Sequence, residues 1–201
     1  PELYTLSLHD ALPISSNALE AARTCGVLDE RDIASISSEM EGIVAMEAVF
    51  DQKWVSRLDG KRVKQIDNKY DQAMALMADI ESFRTENDCD RLVMVWCGST
   101  EAFQQPSAVH DTVEAFEQGM KDNDDNISPS QLYVYAALQS GVPFANGAPN
   151  LSTDLPCMIE LSEKLGVPIA GKDFKTGQTL MKTLIAPGLK ARMLGLRGWY
   201  S

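Results

Sequence analysis

The sequence predicts an α/β fold in which part of a Rossmann-like parallel sheet is flanked by helices. Three short apolar segments, residues 91–96, 142–146 and 167–170, have the length and composition of strands, and helical patterns separate them. Each segment is followed by a short polar turn that contains glycine, which is typical of strands alternating with helices in a parallel sheet. Ligands of such sheets bind beyond the carboxyl ends of the strands, so the three turns mark the expected position of a site.

The part of the chain before the first predicted strand is expected to be mostly helical. Residues 17–26 are rich in alanine and end at Gly26, a typical C-cap, and helical character continues over residues 28–49. A longer helix is predicted over residues 67–84, where apolar side chains recur at spacings of three and four. That spacing places one set of side chains on a single face, which is expected to pack into the core: Ile66, Tyr70, Met74, Met77 and Ile80.

The first predicted strand, residues 91–96, is followed by two predicted helices. Its side chains from residue 92 onward are continuously apolar, which predicts that helices cover the strand on both faces. The two helices are expected over about residues 109–120 and 130–139.

Capping residues predict where the later helices begin and end. Ser128, followed by proline, is expected to open the helix over residues 130–139, and Gly141 to close it. Ser152 or Thr153 is predicted to cap the next helix, which should end at Gly166.

The composition is that of an acidic globular protein. The formal net charge is −11, which argues against nucleic acid or an anionic membrane surface as a partner, since like charges repel. No apolar run approaches the roughly 18 residues that a membrane helix needs. An anionic small molecule can still bind where lysines or backbone amides outweigh the overall field.

Cysteine and histidine give no pattern for a metal centre or a histidine-based triad. The four cysteines are scattered without a CxxC motif, which fits reduced thiols in the cytoplasm. Of the two histidines, His9 and His110, the second is interpreted as a surface residue, and Cys97 as a small packed thiol. The acidic residues 122–126 lack the glycine and glutamate of a calcium loop and are interpreted as a solvated turn.

Lysines cluster after the third predicted strand. Lys172, Lys175 and Lys182 lie beside a glycine turn and a predicted helix start, where free backbone N–H groups and the helix dipole favour an anion. The spacing is not that of a Walker A loop, because the glycines lie at the wrong interval and Gln178 stands where lysine is required. On its own, such a turn is more often a solvated loop. On one continuous helix, Lys175 and Lys182 would share a face.

Four sequence blocks carry a resemblance to a known family. The segment GKDFKTGQTLMKT, residues 171–183, resembles the GDDFKSGQTKMKS signature of the inositol-3-phosphate synthase family. VMVWCGSTE at residues 93–101, ISPSQLY at 127–133 and PFANGAPN at 143–150 resemble further blocks of that family in the same order. The resemblance extends over about residues 17–201, with most similarity to the bacterial branch, and indicates an internal fragment.

The resemblance implies a division of the chain. Residues 16–170 would be part of an NAD-binding Rossmann-like domain, and residues 171–201 the start of an α+β catalytic and tetramerisation domain. Residues 1–15 resemble a sequencing-adapter scar and are interpreted as non-native, the alternative being a genuine N-terminal arm. The complete protein would be a cytoplasmic homotetramer.

The family's chemistry is an isomerisation that consumes no net cofactor. NAD oxidises C5 of glucose 6-phosphate, C6 is enolised and attacks the C1 aldehyde, and the NADH formed reduces the ketone again, giving 1D-myo-inositol 3-phosphate. The resemblance therefore implies NAD as cofactor and glucose 6-phosphate as substrate, in inositol and phospholipid biosynthesis.

Site residues follow from the resemblance block by block. The implied catalytic residues are Lys175, Lys182 and Asp173. The implied cofactor contacts are Gly98, Ser99, Thr100 and Ser128, and the implied substrate contacts are Asn146, Ser130 and Lys172. No metal ligand is implied.

The sequence also departs from the family pattern. Lys172 replaces the first aspartate of GDD, Ala148 the serine of NGSPQN, and Leu180 the first lysine of TKMK. The glycine-rich dinucleotide fingerprint and the later catalytic blocks do not occur in this sequence, so the chain alone is expected to be inactive and to bind NAD poorly. The alternatives are an NAD-dependent dehydrogenase of a phosphorylated sugar and a non-catalytic folded remnant.

Overall fold

The computed structural model of the chain describes residues 17–26, 28–56, 62–174 and 178–198. The predicted non-native segment, residues 1–15, lies outside the described residues.

Three parallel strands form one sheet in the order in which they occur along the chain. They are β1 (Met94–Trp96), β2 (Phe144–Asn146) and β3 (Ile169–Gly171). The register pairs Trp96 with Asn146 and Asn146 with Gly171, so all three strands end at the same level. The predicted parallel α/β fold is confirmed, with strands shorter than the apolar segments that predicted them.

Nine helical elements accompany the sheet in the described residues. They are α1 (Ala18–Cys25), α2 (Glu30–Ser35), α3 (Ser37–Gly42), α4 (Lys69–Glu86), a 3₁₀ turn (Ala108–His110), α5 (Val113–Lys121), α6 (Pro129–Gln139), α7 (Pro156–Leu165) and α8 (Gln178–Ala191). Helix α6 is the centre of the fold: it packs against α4 and α7, and ten of its 11 residues are buried. None of the helices in the described part of the chain is long and apolar enough to span a membrane.

The predicted helix ends at Gly26, Gly141 and Gly166 are confirmed, and so is the predicted start of α6 at Ser128. The Asn17 side chain caps α1 by accepting a hydrogen bond from the Glu20 N–H, and α1 ends at Gly26 with φ of 61°. Gly141, just after α6, has φ of 68°, a conformation that glycine adopts without strain.

The core lies between the sheet and helices α4 to α7. Ile80 of the predicted α4 face is fully buried, and Tyr70, Met74 and Met77 pack against the core. The Trp96 and Tyr133 rings contact each other in a tilted arrangement at a centroid distance of 5.0 Å, which joins β1 to α6. The Tyr133 hydroxyl also accepts a hydrogen bond from the Val49 N–H, so α6 holds the segment that follows α3.

The expectation that helices cover both faces of β1 is wrong for the described residues. Val93 is 67% exposed and Val95 is 51% exposed, whereas Trp96 is buried. Successive side chains of a strand point to opposite faces, and helices α4 to α7 cover only the face that carries Trp96. A continuously apolar segment was therefore not sufficient to predict that both faces of the strand are covered.

Two further expectations about local structure need correction. Helix α7 is not capped by Ser152 or Thr153: it begins at Pro156, with Leu155 at the N-cap position. Proline fixes a helical φ and needs no N–H partner at the first position, so it sets the start. The helical character expected over residues 28–49 is confined to two short helices that end at Gly42, after which Ala48 pairs with Val63 in an isolated bridge.

Candidate functional site

The turns after the three strands meet at one edge of the sheet, here named the carboxyl edge: residues 97–101, 146–150 and 171–174. Backbone hydrogen bonds connect them in order. The Gly147 N–H donates to the Trp96 carbonyl at 2.8 Å, and the Phe174 N–H donates to the Gly147 carbonyl at 3.0 Å. The predicted meeting of the polar turns is therefore confirmed.

Two glycines permit this close approach. A Cβ atom on Gly171, where φ is 131°, would lie 2.6 Å from the Asn146 carbonyl oxygen. A Cβ atom on Gly147 would lie 2.7 Å from the Trp96 carbonyl oxygen and 2.8 Å from the Phe174 ring. Any larger residue at either position would push the turns apart, since both contacts are far inside van der Waals distance.

The turn after β1 presents unused backbone donors. Gly98 and Ser99 are half-buried and Thr100 is exposed. Their N–H groups donate to no other group of the described chain. Consecutive amides at the end of a parallel strand suit the phosphate, hydroxyl or carboxamide oxygens of a dinucleotide such as NAD. These residues fit one part of such a cofactor; the glycine-rich turn that binds a pyrophosphate is not in this sequence.

Glu101 is a buried carboxylate directly after this turn, and the sequence reasoning did not assign it a role. It accepts hydrogen bonds from Ser130, from the backbone N–H at 2.8 Å and from the hydroxyl at 2.6 Å, at the N-terminus of α6. The Ser128 hydroxyl lies 3.3 Å from that of Ser130. Burial raises the pKa of the Glu101 carboxyl, and the hydrogen bonds from Ser130 lower it only in part. Its position in the sequence, between the polar turn and the serine-containing block, was the feature that could have identified it as a site residue.

The interpretation of His110 as a surface residue is wrong, because the side chain is 2% exposed. Its Nδ1 accepts a hydrogen bond from the Ser107 N–H at 3.0 Å, which leaves the proton on Nε2. Nε2 then donates to Gln131 Oε1 at 3.2 Å. Both ring nitrogens have hydrogen-bond partners, so the imidazole is buried without an unpaired polar atom.

Gln131 and two asparagines hold the turn after β2. Gln131 Nε2 donates to the Leu151 carbonyl at 3.1 Å, while its Oε1 also accepts the Ser128 N–H. Asn146 Nδ2 donates to the Asn150 carbonyl at 2.8 Å and to the Ser152 hydroxyl, which explains why Ser152 is not a helix cap. Asn146 is completely buried.

A cavity of about 130 Å³ opens beside the turn after β1. Its lining includes Trp54, Thr100, Glu101, His110 and Asn150. Ligand pockets usually measure about 300–1,000 Å³. The described residues therefore enclose only part of a cofactor-sized site.

Two of the predicted catalytic and substrate-binding residues, Lys172 and Asp173, lie in the turn after β3 at the carboxyl edge. Lys172 forms an ion pair with Asp154 at 2.5 Å, and Asp173 is exposed next to it. Lys182 is exposed on α8, and Lys175 lies outside the described residues. The shared helical face of Lys175 and Lys182 is untested, since α8 begins at Gln178. The roles of these four residues stay predictions.

Cysteine and metal chemistry give a correction and an observation. Cys97 is exposed, so its interpretation as a packed thiol is wrong. It directly follows β1, at a position that the helices of the core do not cover. Within the residues that the structure describes, no group of three or more His, Cys, Asp or Glu side chains could hold a metal ion.

Parallel strands that end together at a polar edge, over a helical core, define a Rossmann-like α/β protein, a class in which ligands bind beyond the carboxyl ends of the strands. Residues 9–194 match the family model described as myo-inositol-1-phosphate synthase, which is an NAD-binding family. The chain belongs to the myo-inositol-1-phosphate synthase family, with NAD as its cofactor.

Individual relatives agree with the family model. The chain is 46% identical over 186 residues to inositol-3-phosphate synthase 1 of Bacteroides thetaiotaomicron, covering 92% of the chain and 43% of the relative. It is 34% identical to inositol-3-phosphate synthase of Trypanosoma brucei brucei, covering 83% of the chain and 32% of the relative. The crystal structure of inositol-3-phosphate synthase from Caenorhabditis elegans superposes with a TM-score of 0.79 at 26% identity, covering 91% of the chain and 36% of that structure. The chain thus spans less than half the length of these relatives.

Proposed function

We propose that the chain supplies the carboxyl edge of the NAD site in an inositol-3-phosphate synthase. The complete parent protein would convert glucose 6-phosphate to 1D-myo-inositol 3-phosphate. One observation carries the proposal. Four family-like blocks lie between residues 93 and 183 of the sequence. In their described parts, three blocks contribute turns to the carboxyl edge, and the fourth contributes the start of α6 directly beneath it.

The turn after β1 would bind the cofactor. NAD, when bound, accepts a hydride from C5 of the sugar and later returns it. The chain's own contribution is orientation: the unused N–H groups of Gly98, Ser99 and Thr100 donate to cofactor oxygens, and Ser128 supports them from the start of α6. Hydrogen bonds between this turn and the Asn150 side chain, in the turn after β2, keep the donors in place.

The segment after β3 would bind and activate the substrate. In a chain of net charge −11, Lys172, Lys175 and Lys182 lie close together in the sequence, and positive charges there would suit a sugar phosphate. Lys175 and Lys182 would stabilise the oxygen that becomes negative during enolisation and ring closure. Asp173 would orient a lysine.

Two buried side chains would complete the substrate site. Asn146 and Ser130 lie beneath the carboxyl edge, each bonded to a neighbouring turn or helix start. Both side chains are fully buried, so in the proposed site they would support the substrate-binding turns from below.

The domain assignment and the setting of the parent protein belong to the same proposal. Residues 16–170 are assigned to the NAD-binding domain and residues 171–201 to the start of the catalytic domain, which would assemble as a homotetramer in the cytoplasm. Residues 1–15 are assigned to neither.

Product stoichiometry tests the proposed reaction. The complete parent is incubated with glucose 6-phosphate and NAD at less than one equivalent, and inositol phosphate and NADH are both quantified. We expect many equivalents of inositol phosphate per NAD and no lasting NADH. Continuous NADH formation with release of an oxidised sugar would instead identify a dehydrogenase, and neither product would leave a non-catalytic protein.

A further inference from the structure

A buried asparagine, Asn150, joins the turns that follow β1 and β2. Its side chain belongs to the second turn, and it is only 4% exposed. Its Oδ1 accepts a hydrogen bond from the Glu101 N–H at 3.0 Å, and its Nδ2 donates to the Ser99 carbonyl at 3.4 Å. One carboxamide therefore binds the peptide groups on both sides of Thr100.

Thr100 is held in this way without being covered. It is exposed, and its N–H donates to no other group of the described chain. The two flanking hydrogen bonds fix the backbone at Thr100 while the residue stays open to a ligand. A group that sets the geometry of a binding residue in this manner lowers the cost of ordering it on binding.

Asn150 is itself held firmly. Its carbonyl accepts a hydrogen bond from Asn146 Nδ2 at 2.8 Å, and the next carbonyl, that of Leu151, accepts one from Gln131 Nε2 at 3.1 Å. On the other side, the Glu101 carboxylate is fixed by Ser130. The turn after β1 is thus fastened to the turn after β2 and to α6 at once.

We propose that Asn150 is a positioning residue, which holds Ser99, Thr100 and Glu101 in the conformation that binds the cofactor. It acts through the backbone of Thr100 and does not touch the reacting sugar. This inference rests on the proposed function in one respect, namely that NAD binds at this turn.

The test measures NAD binding by the complete parent protein and its Asn150→Asp variant. Aspartate has the same shape and still accepts from the Glu101 N–H, but it replaces the donor to the Ser99 carbonyl by an oxygen that repels it. We expect the Kd for NAD to rise about 10-fold, which corresponds to the loss of one or two buried hydrogen bonds. The KM for glucose 6-phosphate should change by less than about 2-fold, because the substrate segment after β3 makes no contact with this carboxamide.

Asn68→Ala is the matched control. Asn68 caps α4 by accepting from the Tyr70 and Asp71 N–H groups, and it donates to the Lys121 carbonyl. Its loss should lower the melting temperature and leave the Kd for NAD unchanged. A general loss of stability would therefore be separated from a loss of positioning.

Several results would overturn the role of Asn150. These are an unchanged Kd for NAD in Asn150→Asp, an equal rise in the NAD and sugar constants, and failure of this isosteric variant to fold. Absence of NAD binding in the parent would also overturn it. A parent that binds NAD but forms no inositol phosphate would refute the proposed reaction alone, and the NAD titrations would still decide the role of Asn150.

Discussion

Ser130 donates two hydrogen bonds to the carboxylate of Glu101. These bonds attach the first turn of helix α6 to the end of the turn after β1. The contact places a carboxyl group in the interior, and no lysine or arginine is among the groups that shift its pKa. The N–H of a helix start and a hydroxyl compensate the charge only in part. Glu101 should therefore influence how stability varies with pH.

The first prediction concerns Glu101→Gln. Burial raises the folded-state pKa of Glu101 above its unfolded value, so its favourable contribution is present below the unfolded pKa of about 4.3 and is lost as the pH rises through the folded pKa. Glutamine keeps an acceptor for the Ser130 N–H but cannot ionise. The free energy of unfolding of the wild type, relative to this variant, should fall as the pH rises through that window. Urea denaturation at a series of pH values measures the difference, and parallel curves would contradict the prediction.

The second prediction concerns Gly171→Ala. The added Cβ would lie 2.6 Å from the Asn146 carbonyl oxygen, at a φ of 131° that alanine adopts only under strain. We expect a loss of about 1–3 kcal/mol in the free energy of unfolding. Gly188→Ala, in α8, is the control: nothing lies within 4 Å of its added Cβ, so stability should be unchanged or slightly higher. Equal effects of the two substitutions in denaturant titrations would disprove the steric explanation.

The third prediction concerns thiol reactivity. Cys97 is exposed, whereas Cys157 is 1% exposed and burial raises its pKa to about 12. The thiolate is the reactive species, so iodoacetamide at neutral pH should label Cys97 quickly and Cys157 only after unfolding. Peptide mapping by mass spectrometry of timed samples gives both rates. Labelling of Cys157 at the rate of Cys97 in the native protein would mean that Cys157, at the start of α7, is not buried in the core.

The fourth prediction concerns the proposed catalytic Lys182 in the complete parent. Removal of a preorganised charge that faces a developing oxyanion costs roughly 100- to 1,000-fold in kcat, and we expect Lys182→Ala to fall in that range. Lys182→Arg should also lose activity, since a planar guanidinium does not replace a compact ammonium.

Lys190→Ala is the control for Lys182, because Lys190 is an exposed lysine on the same helix. It should leave kcat unchanged. Near-normal turnover of both Lys182 variants would show that Lys182 is a solvated surface residue.

The sequence predicted those parts of the fold that depend on local patterns. The α4 face containing Ile80 follows from helical spacing, and the strand ends follow from polar turns that each contain glycine. It did not predict the exposure of Val95, because an apolar run carries no record of which neighbours cover each face. It also missed Glu101 and His110, since their burial depends on α6, which no local pattern places beside them.

The hydrogen bonds of Asn146 and Asn150 have a consequence for the thermodynamics of ligand binding. Both side chains are buried and bonded within the described chain, so the turns that they hold have already lost most of their conformational freedom before a ligand arrives. Ordering a flexible loop costs about 1–2 kcal/mol per residue in backbone entropy alone. A ligand that binds at this edge is spared that penalty for these residues, and its affinity then depends on the contacts it makes with them.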